Sequence, residues 1–361
     1  MSWIGLSGRH QETGALRGVR LAPDRDFSGD ALLARGTLVF EIGLSPDSLA
    51  PTRIIHHECH KGWQRQFTVF LNADFSLSVL FRQGQMESYV RLSSIRPRDR
   101  STLRVTYRWE APERRGLLSV EDNSEGLIRQ VAFSDPIPMP MRDAHQIISV
   151  GPGVAINPRV SAIALADTAE PVGPSGTIAS STPIETTEGF RPVETLRLGD
   201  KVITRDHGVQ PVRWLVSQTL PACGGTMPLS LRAPYFGLSR DLTLAAHQKL
   251  VLGGPNTEYL LGRDGVLVEA QTLSGHPAVA PEPTPLAVTF HQVLFDKHVC
   301  INAGGAWISS LFIGSLSCSP RVLATTPLAS VPPSLLPIHR RMACPPLRSY
   351  ETPVLRDVLP A

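Results

Sequence analysis

Short runs of β-branched and aromatic residues, separated by turn-forming residues, recur along the first half of the chain. Runs of this length with alternating apolar and polar positions predict β-strands rather than helices. The alternation is clearest where Leu103, Val105 and Tyr107 fall on one face of a single strand. We predict strands at 36–43, 67–72, 75–82, 88–93, 101–108, 115–121 and 127–133. Several short strands at this spacing predict an antiparallel β-sandwich.

The chain has 361 residues, which is enough for two domains of ordinary size. We predict a sandwich domain at 1–165, a linker at 166–176, a second β-rich domain at 177–314 and a Pro-rich tail at 315–361. Residues 1–30 are polar and rich in glycine, and we predict an irregular lead-in there. The composition of the tail predicts little regular structure, apart from one short helix within 345–359. The fold class is therefore all-β.

Composition and charge exclude several classes of function. The formal net charge is only +3 and the basic residues are scattered, so no nucleic-acid partner is indicated. No apolar run is long enough for a membrane helix, and the first residues lack the pattern of a cleavable signal peptide. We therefore expect a protein without membrane contact that is cytoplasmic, or exported without a cleavable signal peptide.

Five cysteines are dispersed along the chain without a CxxC pair, and we expect reduced thiols rather than a zinc ribbon or a disulfide framework. The one arrangement that looks like a metal site is the run from His56 to His60. On a strand, His56, Glu58 and His60 would line one face, as a set of ligands could. No distant fourth ligand accompanies them, so we expect a structural or solvent-exposed role and neither a metal nor a cofactor.

Four aromatic residues of the first domain have two interpretations. As sandwich core they need no further explanation, whereas as a group they could form a platform on which a sugar stacks. These residues are Trp63, Phe67, Tyr107 and Trp109. We expect core packing.

Four sequence blocks follow one another in the second domain. The first joins IETTEGFRPVETLRLGDKV at 184–202 to DHGVQPVRW at 206–214, and the others are RDLTL at 240–244, VLVEA at 266–270 and FHQVLFDKH at 290–298. In this order, over residues 176–314, the blocks resemble a bacterial Hint (hedgehog/intein) domain. The preceding region is similar to the lectin-type, concanavalin-like sandwiches that precede Hint domains in some bacterial proteins.

The resemblance implies a nucleophile at Thr177, where active Hint domains have a cysteine. That cysteine attacks the carbonyl of the preceding residue and converts the amide into a thioester. A threonine is a poor substitute, because its hydroxyl ionises far less readily than a thiol and its β-branch crowds the attack. No cysteine lies between Cys59 and Cys223, so a small shift of the alignment does not supply one.

The resemblance also implies a histidine that protonates the departing amide nitrogen, three residues after a Thr or Ser. Aligned without a gap, this position falls on Gln248, with Ala245 at the hydroxyl position. With a slip of one residue, His247 occupies the position, and Leu244 then replaces the hydroxyl residue. Either alignment leaves the pair incomplete.

The last block retains three polar residues, His291, Asp296 and His298, which we expect to form a cluster that orients the fold, with catalysis as the alternative. Asn302 is present but no nucleophile follows it, so protein splicing is not expected. The candidate catalytic set is Thr177, His247, His291, Asp296 and His298, with Gln248 as the alternative occupant of the histidine position.

Three hypotheses of function follow. The first is a degenerate autoprocessing domain with little or no self-cleavage, which is a structural or interaction module and not an enzyme. The second is slow autoproteolysis between Gly176 and Thr177 by an N–O acyl shift with His247 as the proton donor, so that the protein's own backbone is the substrate. The third is binding of carbohydrate or a cell-surface ligand by the sandwich.

Overall fold

A computed structural model describes residues 2–9, 16–27, 29, 31–93, 95–96, 100–122, 126–282, 286–348 and 351. The chain divides into two compact units, Met1–Pro171 and Val172–Ala361. The boundary lies inside the segment 166–176 that the sequence predicts as a linker. Both units consist mainly of antiparallel strands, so the predicted all-β class is confirmed.

The first unit contains fourteen strands and one helix in the described residues. The strands are β1 (Trp3–Arg9), β2 (Leu16–Leu21), β3 (Leu32–Leu33), β4 (Arg35–Leu44), β5 (Thr52–Cys59), β6 (Arg65–Leu71), β7 (Leu77–Gln83), β8 (Met86–Leu92), β9 (Ser101–Glu110), β10 (Arg115–Asp122), β11 (Leu127–Ser134), β12 (Met139–Pro140), β13 (Val154–Ile156) and β14 (Val160–Ala166). Helix α1 (Met141–Ser149) lies between β12 and β13.

Two antiparallel sheets form the sandwich. One has the strand order β11-β10-β9-β4-β14-β1-β2, and the other has the order β13-β5-β6-β7-β8. The inward residues of both sheets belong to one core, in which Phe67 packs edge-on against Tyr107 with ring centroids 5.6 Å apart. The predicted β-sandwich is therefore confirmed, and Leu103, Val105 and Tyr107 are all buried in its core, as their alternation predicts.

The prediction of an irregular lead-in at residues 1–30 is wrong. Strand β1 pairs with β14 on one side and with β2 on the other. Trp3, Ile4 and Leu6 are buried. Gly5 lowers the apparent strand propensity of this segment, but a Cβ there would lie 2.8 Å from the Cδ1 of Ile148, so the glycine permits close packing against α1.

The second unit contains a further fourteen strands among the described residues. They are β15 (Ile178–Ala179), β16 (Pro183–Thr186), β17 (Gly189–Pro192), β18 (Lys201–Thr204), β19 (Gly208–Pro211), β20 (Trp214–Pro221), β21 (Pro228–Leu231), β22 (Leu242–Ala245), β23 (Lys249–Gly253), β24 (Gly265–Glu269), β25 (Val279–Pro281), β26 (Ala287–Leu294), β27 (Cys300–Ala303) and β28 (Ala306–Ser309). The α-helices are α2 (Pro255–Leu261) and α3 (Pro320–Leu323), and short 3₁₀ helices occur at Val193–Thr195, Gly224–Thr226, Tyr235–Gly237, Ala270–Leu273, Leu316–Cys318 and Pro333–Leu335.

Two sheets build this unit, and β15 lies inside the smaller one. That sheet has the order β20-β26-β15-β22-β21-β25, so Ile178 pairs with Leu244 on one side and with His291 on the other. The larger sheet includes β16, β18, β27, β28, β23 and β24, and shares a core with the first. The segment that begins at the predicted nucleophile position is thus inserted between two longer strands.

The residue before Thr177 must be a glycine for steric reasons. A Cβ on Gly176 would lie 2.4 Å from the carbonyl oxygen of Phe290 and 2.9 Å from the amide nitrogen of His291. Real Cβ atoms do not approach backbone atoms this closely, so a larger residue would displace β15 or β26.

The tail packs on the rest of the second unit, and among its described residues the helices are limited to α3 and two short 3₁₀ helices. Leu328, Val331 and Cys344 are buried. Leu267 pairs with Pro346 in a parallel bridge, so the tail adds backbone hydrogen bonds to the edge of β24. Helix α3 lies upstream of the predicted helix at 345–359, which falls largely outside the described residues.

His298 joins the tail to the body of the second unit. Its Nδ1 accepts a 2.8 Å hydrogen bond from the backbone N–H of Ala343, and its ring packs edge-on against Phe312. Burial, with smaller contributions from His339 and Lys249, lowers the pKa of His298 to about 3. The imidazole is therefore neutral throughout the ordinary pH range.

Within the described residues, none of the helices combines the length and apolar character that crossing a membrane requires.

We predict that replacing Gly176 by alanine destabilises the second unit by about 3 kcal/mol, because the added methyl group must push two paired strands apart. Urea unfolding followed by hydrogen exchange of peptides covering 176–180 and 287–294 measures the effect. Gly43→Ala is the control, since a Cβ at Gly43 meets nothing within 4 Å. Equal stability of the two variants would contradict the close approach at Gly176.

We predict that acid destabilises the second unit through His298. A folded pKa of about 3 lies below the ordinary value of 6.5, so the unfolded chain binds the proton first as the pH falls. Between these values the residue removes up to about 1.4 kcal/mol of unfolding free energy per pH unit. The variant His298→Asn keeps an acceptor for Ala343 and lacks the titration, so its pH dependence, measured by urea unfolding between pH 7 and 4, should be shallower. Parallel curves for the two proteins would refute this role.

Candidate functional site

Thr177 immediately precedes β15, and its backbone is hydrogen-bonded on both sides. Its N–H donates to the carbonyl of His291 over 3.0 Å, and its carbonyl accepts from the N–H of Ala245 over 2.8 Å. Its side chain is buried, with only 5% of the residue exposed. The amide that a Hint nucleophile would attack is therefore held inside the sheet.

The Thr177 hydroxyl is hydrogen-bonded to two carboxamides. It donates to Oε1 of Gln248 and accepts from Nε2 of Gln292 over 2.7 Å. Nε2 of Gln248 in turn donates to the Lys249 carbonyl over 2.7 Å and to the Ser309 hydroxyl over 3.1 Å. Gln248 and Gln292 are almost completely buried. We name Thr177, Gln248, Gln292 and Ser309 the amide network.

The amide network contains no group that exchanges a proton at neutral pH. A carboxamide oxygen accepts a hydrogen bond, but unlike imidazole it does not take up the proton. The network satisfies a buried hydroxyl, which would otherwise cost about 1–3 kcal/mol. It supplies neither a base for the hydroxyl nor an acid for a departing amine.

Gln248, and not His247, contacts the Thr177 hydroxyl. These residues form the tight connection between β22 and β23, in which Gln248 N–H donates to the Ala245 carbonyl. Nδ1 of His247 hydrogen-bonds to the carbonyl of Gly225, so this nitrogen carries the proton. Nε2 lies 3.4 Å from the hydroxyl of Ser175, two residues before Thr177. The geometry thus favours the alignment without a gap.

The ring of His291 is directed to Ser180, with 2.9 Å between Nε2 and the serine Oγ. Burial lowers the pKa of His291, and the nearby Glu194 carboxylate opposes the shift. Within the part of the chain that the structure describes, Nδ1 of His291 is buried without a hydrogen-bond partner. Burying an unprotonated ring nitrogen without a partner costs less free energy than burying an unpaired N–H. The proton of His291 therefore lies on Nε2, which donates it to the Ser180 hydroxyl.

The other residues of the last block have separate partners. Both carboxylate oxygens of Asp296 bind the guanidinium of Arg213, an exposed pair with distances of 2.8 and 2.6 Å. His298 contacts Ala343 of the tail. The structure therefore gives His291, Asp296 and His298 three distinct sets of hydrogen-bond partners, rather than the single polar cluster that the sequence predicts.

Sequence reasoning missed Gln292 and Ser309. Gln292 follows His291 on β26, so strand alternation places its side chain on the opposite face. That it meets Thr177 depends on the pairing of β26 with β15, which the sequence pattern does not reveal. Ser309 ends β28, and nothing in its local sequence distinguishes it from an ordinary strand residue.

In the histidine run of the first unit, residues 56–59 lie on β5, as the apolar flank predicts, and His60 follows the end of the strand. Nδ1 of His56 is 2.9 Å from the Thr68 hydroxyl, and Glu58 lies within 4 Å of both His56 and His60. Burial lowers the pKa of His56. Across the described residues, no group of three or more His, Cys, Asp or Glu side chains is arranged to hold a metal ion.

The aromatic residues of the first unit differ in exposure. Phe67, Tyr107 and Trp109 are core residues, as expected, whereas Trp63 is 53% exposed. Tyr89, which the sequence analysis did not select, is 55% exposed. It lies on the outer face of the five-stranded sheet, because its neighbours Ser88 and Val90 point inward.

Polar side chains surround Tyr89 on this outer face. The Tyr89 hydroxyl is 3.0 Å from the Ser78 hydroxyl, which also accepts a hydrogen bond from Nδ2 of Asn72. Arg91 on the same strand pairs with Asp74 and donates to Ser76. We name Tyr89, Ser78, Asn72 and Arg91 the outer-sheet surface.

Comparison with known proteins gives a family for the second unit. The model of the Hint domain family matches residues 177–315. The search of curated proteins gives no match.

Solved structures show weak similarity. A splice-inactive AceL NrdHF class 3 split intein is 10% identical, with 38% of this chain and 99% of that chain covered and a TM-score of 0.27. The CBM40 of a Ruminococcus gnavus sialidase, bound to α2,3-sialyllactose, is 11% identical, with 37% and 75% covered and a TM-score of 0.27. The binding domain of botulinum neurotoxin DC is 10% identical, with 86% and 94% covered and a TM-score of 0.24.

TM-scores of this size support no argument, so the family assignment rests on the sequence match. The matched residues contain strands β15 to β28. Residues 177–315 of this chain are a Hint domain.

Proposed function

We propose that this Hint domain is degenerate and does not cleave the chain, and that it serves as a structural or interaction module. The observation that carries this proposal is the amide network: the Thr177 hydroxyl lies between Gln248 and Gln292. Attack on the Gly176 carbonyl needs an activated nucleophile, and the departing nitrogen needs a proton. Neither carboxamide provides these.

The hydrogen bonds of the backbone support the same conclusion. The nitrogen that would depart from Gly176 donates its proton to His291 O, and the Thr177 carbonyl is bonded to Ala245. An acyl shift would have to bring the hydroxyl onto the preceding carbonyl while β15 remains paired on both sides. A short strand held in this way contributes pairing to the sheet, which is a structural role.

One observation favours the alternative of slow autoproteolysis. Nε2 of His247 lies 3.4 Å from the Ser175 hydroxyl. Ser175 is close in sequence to the Gly176–Thr177 bond. In the neutral ring, Nδ1 carries the proton that is donated to Gly225 and Nε2 carries none, so Nε2 has no proton to give there. The alternative therefore requires the histidine ring to be protonated or to turn.

We predict that the wild-type chain keeps its full mass in hydroxylamine, and that Thr177→Cys combined with Gln248→His cleaves at the bond after Gly176. The thiol supplies a nucleophile, and the imidazole occupies the position next to it that Gln248 now holds. Intact mass spectrometry over time should show cleavage at least about 100-fold faster than in Thr177→Cys alone.

Thr177→Ala is the control for the wild-type experiment. A break after Gly176 in the wild-type chain that Thr177→Ala abolishes would establish autoproteolysis and refute the degenerate assignment. An intact double variant with the wild-type fold would show that the losses at 177 and 248 do not account for inactivity.

A second candidate function is carbohydrate binding by the first unit, and the outer-sheet surface favours it. An exposed aromatic ring offers an apolar face to the C–H side of a sugar, while nearby fixed polar groups bond its hydroxyls. Tyr89 provides the ring and the half-exposed Arg91 provides a polar group beside it, while the buried Ser78, itself bonded to Asn72, holds the Tyr89 hydroxyl in place. No ligand is identified by these contacts.

We predict that the full chain binds a glycan on an array, and that Tyr89→Ala lowers the affinity about 5–10-fold because the stacking ring is lost. Tyr259→Ala is the matched control, since Tyr259 is 88% exposed and lies on α2 of the other unit. Signals at background for the wild-type chain, or equal binding by the two variants, would remove this candidate.

A further inference from the structure

Two thiols lie together where the tail packs on the Hint domain. Cys300 is the first residue of β27 and is completely buried, and Cys344 belongs to the tail and is 6% exposed. With Leu267 they form a small cluster separate from the main core. The two cysteines are 44 positions apart in sequence (344 − 300), so the tail fold alone brings them together.

The tail is fixed on both sides of Cys344. Before it, the N–H of Ala343 donates to His298 over 2.8 Å. After it, the Pro345 carbonyl accepts from Leu267 N–H, and Leu347 N–H donates to the Leu267 carbonyl, each over 2.9 Å. The sulfur of Cys344 is therefore held in place by its neighbours.

Arg205 contacts both cysteine residues. Its Nη1 is 3.2 Å from the Cys344 sulfur, and its backbone N–H donates to the Cys300 carbonyl over 2.9 Å. The guanidinium also lies 3.5 Å from the Asp264 carboxylate. A permanent positive charge beside a sulfur favours its thiolate and disfavours a metal cation at the same place.

The two thiols are unequal. The neighbouring Cys300 thiol and the Arg205 guanidinium lower the pKa of Cys344, against its burial and the nearby Asp206 and Asp264 carboxylates. The side-chain hydrogen bond with Cys344, burial and the Cys344 charge raise the pKa of Cys300. Cys344 is therefore the more readily ionised of the two thiols.

We propose that Cys344 and Cys300 form an oxidation site for hydroperoxides, in which Cys344 is the attacking residue, Cys300 the resolving residue, and a disulfide the product. The site stands on the adjacency of the two sulfurs, the contact of Arg205 and the anchored tail. It is independent of whether the Hint domain cleaves.

The reaction balances in two steps. The Cys344 thiolate attacks the terminal oxygen of the hydroperoxide, the O–O bond breaks, and the alkoxide or hydroxide that leaves takes a proton to give an alcohol or water. The Cys344 sulfenic acid is then attacked by the Cys300 sulfur, which loses its proton, and water leaves as the S–S bond forms. The hydroperoxide is reduced by two electrons and the two thiols are oxidised by two.

Comparison with Cys59 shows that the second thiol is what distinguishes the Cys300–Cys344 pair from a single cysteine beside an arginine. It too accepts a contact of 3.2 Å from an arginine, Arg65, but that guanidinium binds both oxygens of Asp143. Cys59 is also the single cysteine in the sequence of the first unit, so it has no resolving thiol within that unit. We expect Cys59 to remain reduced under conditions that oxidise the pair.

The test treats reduced full-length protein with hydrogen peroxide, followed by intact mass and peptide mapping. We expect a mass lower by two hydrogen atoms, one peptide pair linked through Cys300 and Cys344, and reversal by dithiothreitol. The oxidised protein should melt about 5–10 °C higher, since the disulfide constrains the unfolded chain. In Cys300→Ser, dimedone should instead trap the sulfenic acid at Cys344.

One variant tests the role of Arg205 beside Cys344, and a second serves as its control. Arg205→Gln should slow the alkylation of Cys344 at pH 7 about 3–10-fold, because the thiolate loses its cation. Cys223→Ser, in the same unit, should leave both the oxidation and the alkylation unchanged. The absence of a Cys300–Cys344 link in peroxide-treated wild-type protein, or a product in which Cys318 or Cys59 reacts first, would overturn the proposal.

Discussion

The insertion of β15 between β22 and β26 is the constraint on which the Hint domain depends. Ile178 pairs with a strand on each side, and Thr177 gives its N–H to one neighbour and its carbonyl to the other. The insertion is possible because Gly176 has no Cβ to meet the Phe290 carbonyl. The bond that an active Hint domain would cut is therefore also the bond that leads the chain into the sheet.

Burial of this junction determines which polar groups can surround it. A hydroxyl that is removed from water requires a donor and an acceptor, and two glutamines satisfy it without adding a charge. A histidine at position 248 would bring a titratable group into the same space, with the cost of burying its charged form. The amide network thus satisfies the buried hydroxyl with groups that do not transfer a proton at neutral pH.

The strands of the sandwich and the family of the second unit could be predicted from the sequence, because alternation and motif order are local properties. The strands at 101–108 and 115–121 correspond to β9 and β10. The lead-in was predicted wrongly and the packing of the tail was not predicted, since Gly5 and the prolines near Cys344 owe their order to partners distant in sequence. The position of Gln248 beside Thr177 followed from the ungapped alignment, but Gln292 depends on strand register, which no local pattern encodes.

At the tail, burial favours the neutral form of two neighbouring groups, and their charged neighbours reinforce this preference in one and oppose it in the other. His298 and Cys344 are both nearly inaccessible and belong to the same contact between tail and body. His298 lies near His339 and Lys249, so burial and positive charge both favour its neutral form. Cys344 has Arg205 and the Cys300 thiol, which favour its anion against the same burial. A positive charge disfavours one group's ionised form and stabilises the other's, because imidazole ionises by gaining a proton and a thiol by losing one. Two ionisable groups therefore meet at the docked tail, while neutral amides surround the Thr177 hydroxyl.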